Sequence, residues 1–129
     1  MIEGEQLDAV WRAALAASGD LRVAEQVTTA VLRTAPRDAA ASDLVRDAVL
    51  AAVRRAPAPP FAAMAAPERE AVALARIAGC QVDDVAVALG IGNGAARRLL
   101  TAGLRAVRQR PASGRRTPRP ALGCGSAAS

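Results

Sequence analysis

The sequence predicts an all-α chain of about six helices, with a helix-turn-helix in the C-terminal half and a disordered basic tail. Three observations carry this prediction. The 129 residues are 52% hydrophobic but only 2% aromatic. Much of the apolar content is alanine, the best helix former, so the core must be built from small aliphatic side chains on thin helices. Apolar residues recur at three- and four-residue spacing in one segment after another. Between those segments stand Gly, Pro, Asp and Asn, the residues that start and stop helices.

Glu5 to Ala17 reads as the first helix, with Leu7, Val10, Trp11 and Leu15 at helical spacing and Ser18-Gly19 as the stop. Asp20 is placed to cap a second helix from Leu21 to about Thr34, whose apolar face is Val23, Val27, Ala30 and Val31 and whose end is marked by Pro36. Ser42 or Asp43 is the expected cap of a third helix, with Leu44, Val45, Ala48, Val49, Ala52 and Val53 inward. Arg54 and Arg55 close it at the negative end of its dipole. Residues 1–56 thus form one helical region.

Pro57-Ala58-Pro59-Pro60 opens a short, stiff linker over residues 57–66, with Phe61 and Met64 packing in a brief turn. Pro67 is the expected first residue of a fourth helix, with Glu68 and Glu70 at its positive end. Its apolar side is Ala71, Leu74, Ala75, Ile77 and Ala78, and Gly79 ends it. Val82 to Leu89 is the fifth helix, preceded by Gln81, a poor cap that predicts a fraying end. Gly90-Ile91-Gly92-Asn93 forms a turn, and Ala95 to about Arg108 is the sixth helix. This makes residues 67–109 the helix-turn-helix unit. Residues 110–129 are Pro, Gly, Ser, Ala and Arg, a composition that cannot bury enough apolar surface to order itself.

Charge is unevenly distributed. All 17 basic residues are Arg, and the net charge is +5. Residues 1–84 hold nine Arg against all twelve acids, whereas residues 85–129 hold eight Arg and no acid. A basic end on a mildly acidic body suggests nucleic acid at one end only. The sixth helix sharpens this. At 100° per residue, Ala96, Leu100, Gly103, Leu104 and Val107 fall on one side, and Gly94, Arg97, Arg98, Thr101, Arg105 and Arg108 fall opposite. Such a helix fits the major groove, where Arg bonds guanine edges or clamps phosphates. Arg110, Arg115, Arg116 and Arg119 of the tail would add sequence-independent, salt-sensitive phosphate contacts.

The catalytic checklist stays empty. There is no His, no motif of paired carboxylates and no phosphate-binding loop, and Gly90, Gly92 and Gly94 follow a helix at the wrong spacing for a dinucleotide fingerprint. No enzyme activity, cofactor or small-molecule substrate is therefore expected. Cys80 and Cys124 are too few and too far apart for a metal site or disulfide framework, so no metal is expected either. Cys80 reads as a small buried hydrophobe and Cys124 as a free thiol in a reducing cytoplasm. The acidic N-terminus is unlike a secretory signal, and no uncharged apolar run reaches membrane-spanning length, so a nucleoid-associated cytoplasmic protein is expected.

Pro67-Glu68-Arg69-Glu70, Gly79, Asp83-Asp84-Val85-Ala86, Leu89-Gly90-Ile91 and Gly94-Ala95-Ala96-Arg97 together resemble the promoter-binding domain of bacterial RNA polymerase sigma factors of the extracytoplasmic-function type. About forty residues carry the likeness, and response-regulator-type helix-turn-helix domains share much of it. Trp11-Arg12-Ala13-Ala14-Leu15, Gly19-Asp20 and Ala24-Glu25-Gln26-Val27 resemble the start of that family's polymerase-binding domain. The resemblance implies double-stranded promoter DNA facing Asn93, Gly94, Arg97, Arg98, Thr101, Arg105 and Arg108. It implies the RNA polymerase core as a partner, with Trp11, Glu25 and Gln26 as contact residues, and an anti-sigma factor as a further partner. Leu99, where the family commonly has Arg, is assigned to partner contact. Other departures bear on promoter melting. Thr29-Ala30 stand where the family has a Gln-Glu pair, and no aromatic lies between Trp11 and Phe61, although unstacked bases need π faces. The alternative is a non-initiating module that binds polymerase, a sigma factor or an anti-sigma factor, or a response-regulator-type regulator.

Overall fold

The computed structural model describes residues 4–109. Among them seven helices follow one another: α1 (Gly4–Ser18), α2 (Leu21–Thr34), α3 (Ala41–Arg55), α4 (Pro59–Ala62), α5 (Ala66–Arg76), α6 (Val82–Leu89) and α7 (Asn93–Gln109), with no strand. The all-α expectation holds. The count rises by one because the brief turn at Phe61 is a helical turn, α4, within the segment read as linker. The tail readings, Cys124 included, lie outside the described residues.

Helices α1, α2 and α3 pack on one another, α3 packs on α5, and α5 packs on α6 and α7. Val10, Ala13, Ala14 and Ala17 of α1 meet Ala24 and Val27 of α2 and Leu44, Ala48, Val49, Ala52 and Val53 of α3 in a core that continues through Phe61 and Met64 to α5. Alanine supplies little apolar area, and each fully buried Val or Leu stabilises by roughly 1.5–3 kcal/mol. The small side chains contribute differently, by letting helix axes approach.

Several inward faces differ from the periodicity. On α1, Leu7 is 45% exposed, and the alanines beside Val10 face the core instead. On α2, Ala30 is exposed while Ala24 and Thr28 are buried. Helix α5 buries Ala71, Val72, Ala73 and Leu74 in succession, because neighbours cover it on more than one side. Ile77 and Ala78 lie beyond its end. A periodicity argument finds one buried face and so missed Val72 and Ala73.

The ends also differ in part. Asp20 caps α2, its carboxylate accepting from the backbone N–H of Arg22 (2.9 Å) and Val23 (3.1 Å). Helix α3 starts earlier than expected, at Ala41 with Ala40 as an unassisted cap; Asp43 lies inside the first turn and pairs with Arg46. Pro67 is second in α5, not first. The start of α6 is tied, contrary to the fraying expected of it: the Asp84 carboxylate accepts from the Gln81 N–H at 3.2 Å. The poor cap is compensated from three residues downstream.

Polar contacts bind the two halves. The Arg54 guanidinium donates to both carboxylate oxygens of Glu70, at 3.0 and 3.1 Å. Hydrogen bonding to Glu70 raises the Arg54 pKa above its ordinary value. Half of the Arg54 side chain is exposed, so the pair contributes only about 1 kcal/mol. Arg69 donates to the carbonyls of Phe61 (3.0 Å) and Met64 (2.9 Å), and the Ala58 N–H donates to the Ala17 carbonyl (2.9 Å). Cys80 is half-buried, and that burial raises its thiol pKa.

Helix α7 crosses α5 at Gly103, where a Cβ would lie 2.4 Å from Val72 Cγ2. Alanine normally favours a helix interior over glycine by about 1 kcal/mol, but overpacking costs about 1–3 kcal/mol. Gly103→Ala is therefore expected to lower stability in a urea titration. Gly94→Ala, whose Cβ would meet only the mobile end of Arg98 at 3.6 Å, should hold or raise it. A second prediction concerns Thr28, whose buried hydroxyl has no hydrogen-bond partner among the described residues. Because an unsatisfied buried hydroxyl is destabilising, Thr28→Val should raise stability by about 1 kcal/mol in the same assay.

Candidate nucleic-acid interface

The arginine helix is positioned by the turn that precedes it. Gly90 ends α6 with φ +68, a left-handed conformation that glycine adopts without steric cost. The Ile91 N–H then closes back onto the Ala86 carbonyl at 3.0 Å, satisfying a terminal carbonyl of α6. Gly92 supplies the carbonyl that accepts from the Ala96 N–H at 3.0 Å, so α7 begins at Asn93, two residues earlier than expected. The Asn93 side-chain amide donates to the Asp83 carboxylate at 2.8 Å, tying the start of α7 to the first turn of α6.

The two sides of α7 divide as the 100° projection predicts. Ala96 and Gly103 are buried, and Leu100, Leu104 and Val107 are half-buried against the core. Arg97, Arg98, Thr101, Arg105 and Arg108 are exposed. Gly94, Arg97, Arg98, Thr101, Ala102 and Arg105 line an open concavity of about 500 Å³. Thr101 Oγ1 donates to the Arg97 carbonyl at 2.9 Å, so its lone pairs remain available as acceptors outward.

The state of these arginines separates them from several others. Arg12 pairs with Asp8 at 2.9 Å, Arg46 with Asp43 and Arg54 with Glu70, while Arg55 donates to Gln26. Among the described residues, Arg97, Arg98, Arg105 and Arg108 have no carboxylate partner. Four unneutralised guanidinium groups on one helix are suited to binding an anion that offers several acceptors in a row.

Asn93 is the member of the predicted set whose side chain is engaged by another helix. Its partner, Asp83, places a carboxylate beside the first turn of α7, where a phosphate would otherwise be favoured. Nothing in the spacing of residues 83 and 93 signals this pair; the turn brings it together.

The predicted partner-contact residues do not form one site. Trp11 and Glu25 line a groove of about 510 Å³ between α1 and α2, together with Leu7, Asp8, Thr28 and Thr29. Gln26 is turned to α3, where it accepts from Arg55. Leu99 is half-buried and lines a smaller cleft of about 220 Å³ with Arg54, Glu70, Leu89 and Ile91, at the junction of the two halves. Leu99 thus closes the packing of α7.

No protein-family model, curated protein or solved structure matches the chain. Among the described residues no helix is long and apolar enough to cross a membrane.

The Asn93–Asp83 contact yields a prediction. Asn93→Ala removes the hydrogen bond to Asp83 and should lower the thermal midpoint at neutral pH, and Asp83→Asn, which keeps an acceptor for the Asn93 amide, should lower it less. An unchanged midpoint for Asn93→Ala would show that the contact does not hold the turn.

Proposed function

We propose that this chain is a sigma-factor-like DNA-binding transcription protein that docks α7 in the major groove of promoter DNA and contacts RNA polymerase. The observation that carries the reading is the division of α7: a buried side of Ala96 and Gly103, and an exposed side of Thr101 with Arg97, Arg98, Arg105 and Arg108, whose guanidinium groups have no carboxylate partner among the described residues. A 17-residue helix is about 25 Å long and fits the groove lengthwise. There, guanidinium groups can fork onto guanine O6 and N7 or onto phosphates. On this reading the polymerase core meets the α1–α2 groove through Trp11 and Glu25, and the protein works in the cytoplasm on nucleoid DNA without catalysing a reaction of its own.

A second reading rests on a separate observation. The only aromatics of the chain are Trp11 and Phe61, and Phe61 is buried in α4. The segment between them therefore offers unstacked bases no π face. This favours a module that binds DNA, polymerase, a sigma factor or an anti-sigma factor without opening a promoter, or a response-regulator-type regulator.

Arg97→Ala combined with Arg98→Ala should weaken duplex binding at least tenfold near physiological salt. It should also reduce the salt slope by about 2, one unit for each phosphate-directed arginine lost. Gel-shift titrations over a salt series measure both, and unchanged binding would overturn the DNA assignment. In reconstituted transcription with polymerase core, promoter-dependent transcripts support the first reading. Duplex binding without transcripts supports the second.

A further inference from the structure

We infer that the chain reads DNA as a single closed body, engaging one continuous duplex segment of about one turn, with its two halves remaining joined on binding. The inference rests on the DNA reading of α7 and concerns how that surface is used.

The reading face is already presented. Arg97, Arg98, Thr101, Arg105 and Arg108 are exposed while α7 is packed on α5 and α6 and α5 on α3. Exposing them requires no separation of the halves.

Separation would instead dismantle the junction. It would break the forked Arg54–Glu70 contact and strip α3 from α5. It would also uncover Phe61 and Met64, now 8% and 5% exposed, if α4 detached, together with the Arg69 clamp on their carbonyls. The connection is anchored at its other end as well. Ala58 bonds the Ala17 carbonyl at 2.9 Å, and its Cβ lies 3.6 Å from where a side chain at Gly19 would begin.

Reach points the same way. Ten residues separate α3 from α5. Fully extended they span at most about 35 Å, close to a single helical turn of duplex. The first half also offers little to hold a second DNA element. Residues 1–56 carry seven Arg and eight acids; Arg12, Arg46, Arg54 and Arg55 there are engaged within the protein, and Arg22, Arg33 and Arg37 stand exposed on a net acidic half. The arginines of α7, from a stretch without acids, therefore offer phosphate the more favourable surface among the described residues.

The test uses the full chain with Cys80→Ala and Cys124→Ser, spin-labelled at Ala16→Cys on α1 and Val87→Cys on α6, both exposed sites outside α7. The probe is a duplex of about three turns, enriched for binding from a randomised library. The expected result is a label-to-label distance distribution that stays within its free width on binding, and hydroxyl-radical protection confined to one stretch of about one turn. A lengthened distance distribution in the complex, or two protected stretches separated by an unprotected turn, overturns the inference while leaving DNA binding itself intact. If no duplex is enriched or bound, the DNA reading falls and the inference falls with it, an outcome distinct from a bound but opened chain.

Discussion

The close crossing of α7 over α5 at Gly103 is the constraint on which the candidate surface depends. A Cβ at this position would lie 2.4 Å from Val72 Cγ2 and 3.4 Å from the Glu68 carbonyl, so only glycine lets the two helices approach this far. The approach seats Ala96 fully and Leu100, Leu104 and Val107 partly against the core. With that side of α7 held down, the opposite side has to face outward. The direction of the arginines is thus a consequence of apolar packing and does not depend on any contact the arginines make.

The same principle, small residues bringing backbones together, runs through the rest of the molecule. Ala13, Ala14 and Ala17 of α1 and Ala48 and Ala52 of α3 are buried where helices meet. Because alanines remove little apolar area from water, the few larger side chains matter disproportionately: Leu44, Leu74, Val10, Val49, Val53 and Val72 are the filling of this core. Phe61 and Met64 seal the junction between the halves, and Arg54–Glu70 adds orientation there more than energy. The Thr28 hydroxyl, without a partner among the described residues, is the opposite case, a buried polar group whose desolvation is not offset there.

The fork in charge follows from this architecture. Arg12 and Arg46 pair with acids of their own helices and Arg54 with Glu70 of a neighbouring one. From residue 85 onward no acid is available. Among the described residues the guanidinium groups of α7 have no carboxylate partner, whereas the α1–α2 groove and the cleft around Leu99 are lined by apolar and mixed side chains.

Much of this was legible in the residues. Helix identity followed from spacing and punctuation: the α2, α6 and α7 bounds lie within two residues of those read from Asp20, Gly90 and Asn93. The two sides of α7 also followed, because one helix packed on one side obeys a simple 100° rule. Periodicity failed where a helix is enclosed by several neighbours, as at Val72 and Ala73 of α5, or where alanine and not the larger residue turns inward, as on α1 beside Leu7. Capping logic failed at α3, which starts at Ala41 without a side-chain cap, and at α6, where Asp84 from three residues downstream makes good the poor cap.

By itself, then, the sequence determined the all-helical class, the turn before α7 and the segregation of its arginines, since all three depend on local backbone preference and helical geometry. Only the tertiary structure decided that Asn93 is held by Asp83, that Gln26 turns to Arg55 and away from Trp11 and Glu25, and that Leu99 packs at the junction of halves joined through Arg54 and Glu70. The reason is physical: which side chains far apart in the chain meet is set by how closely whole helices can pack, and that distance is a property of the assembled core.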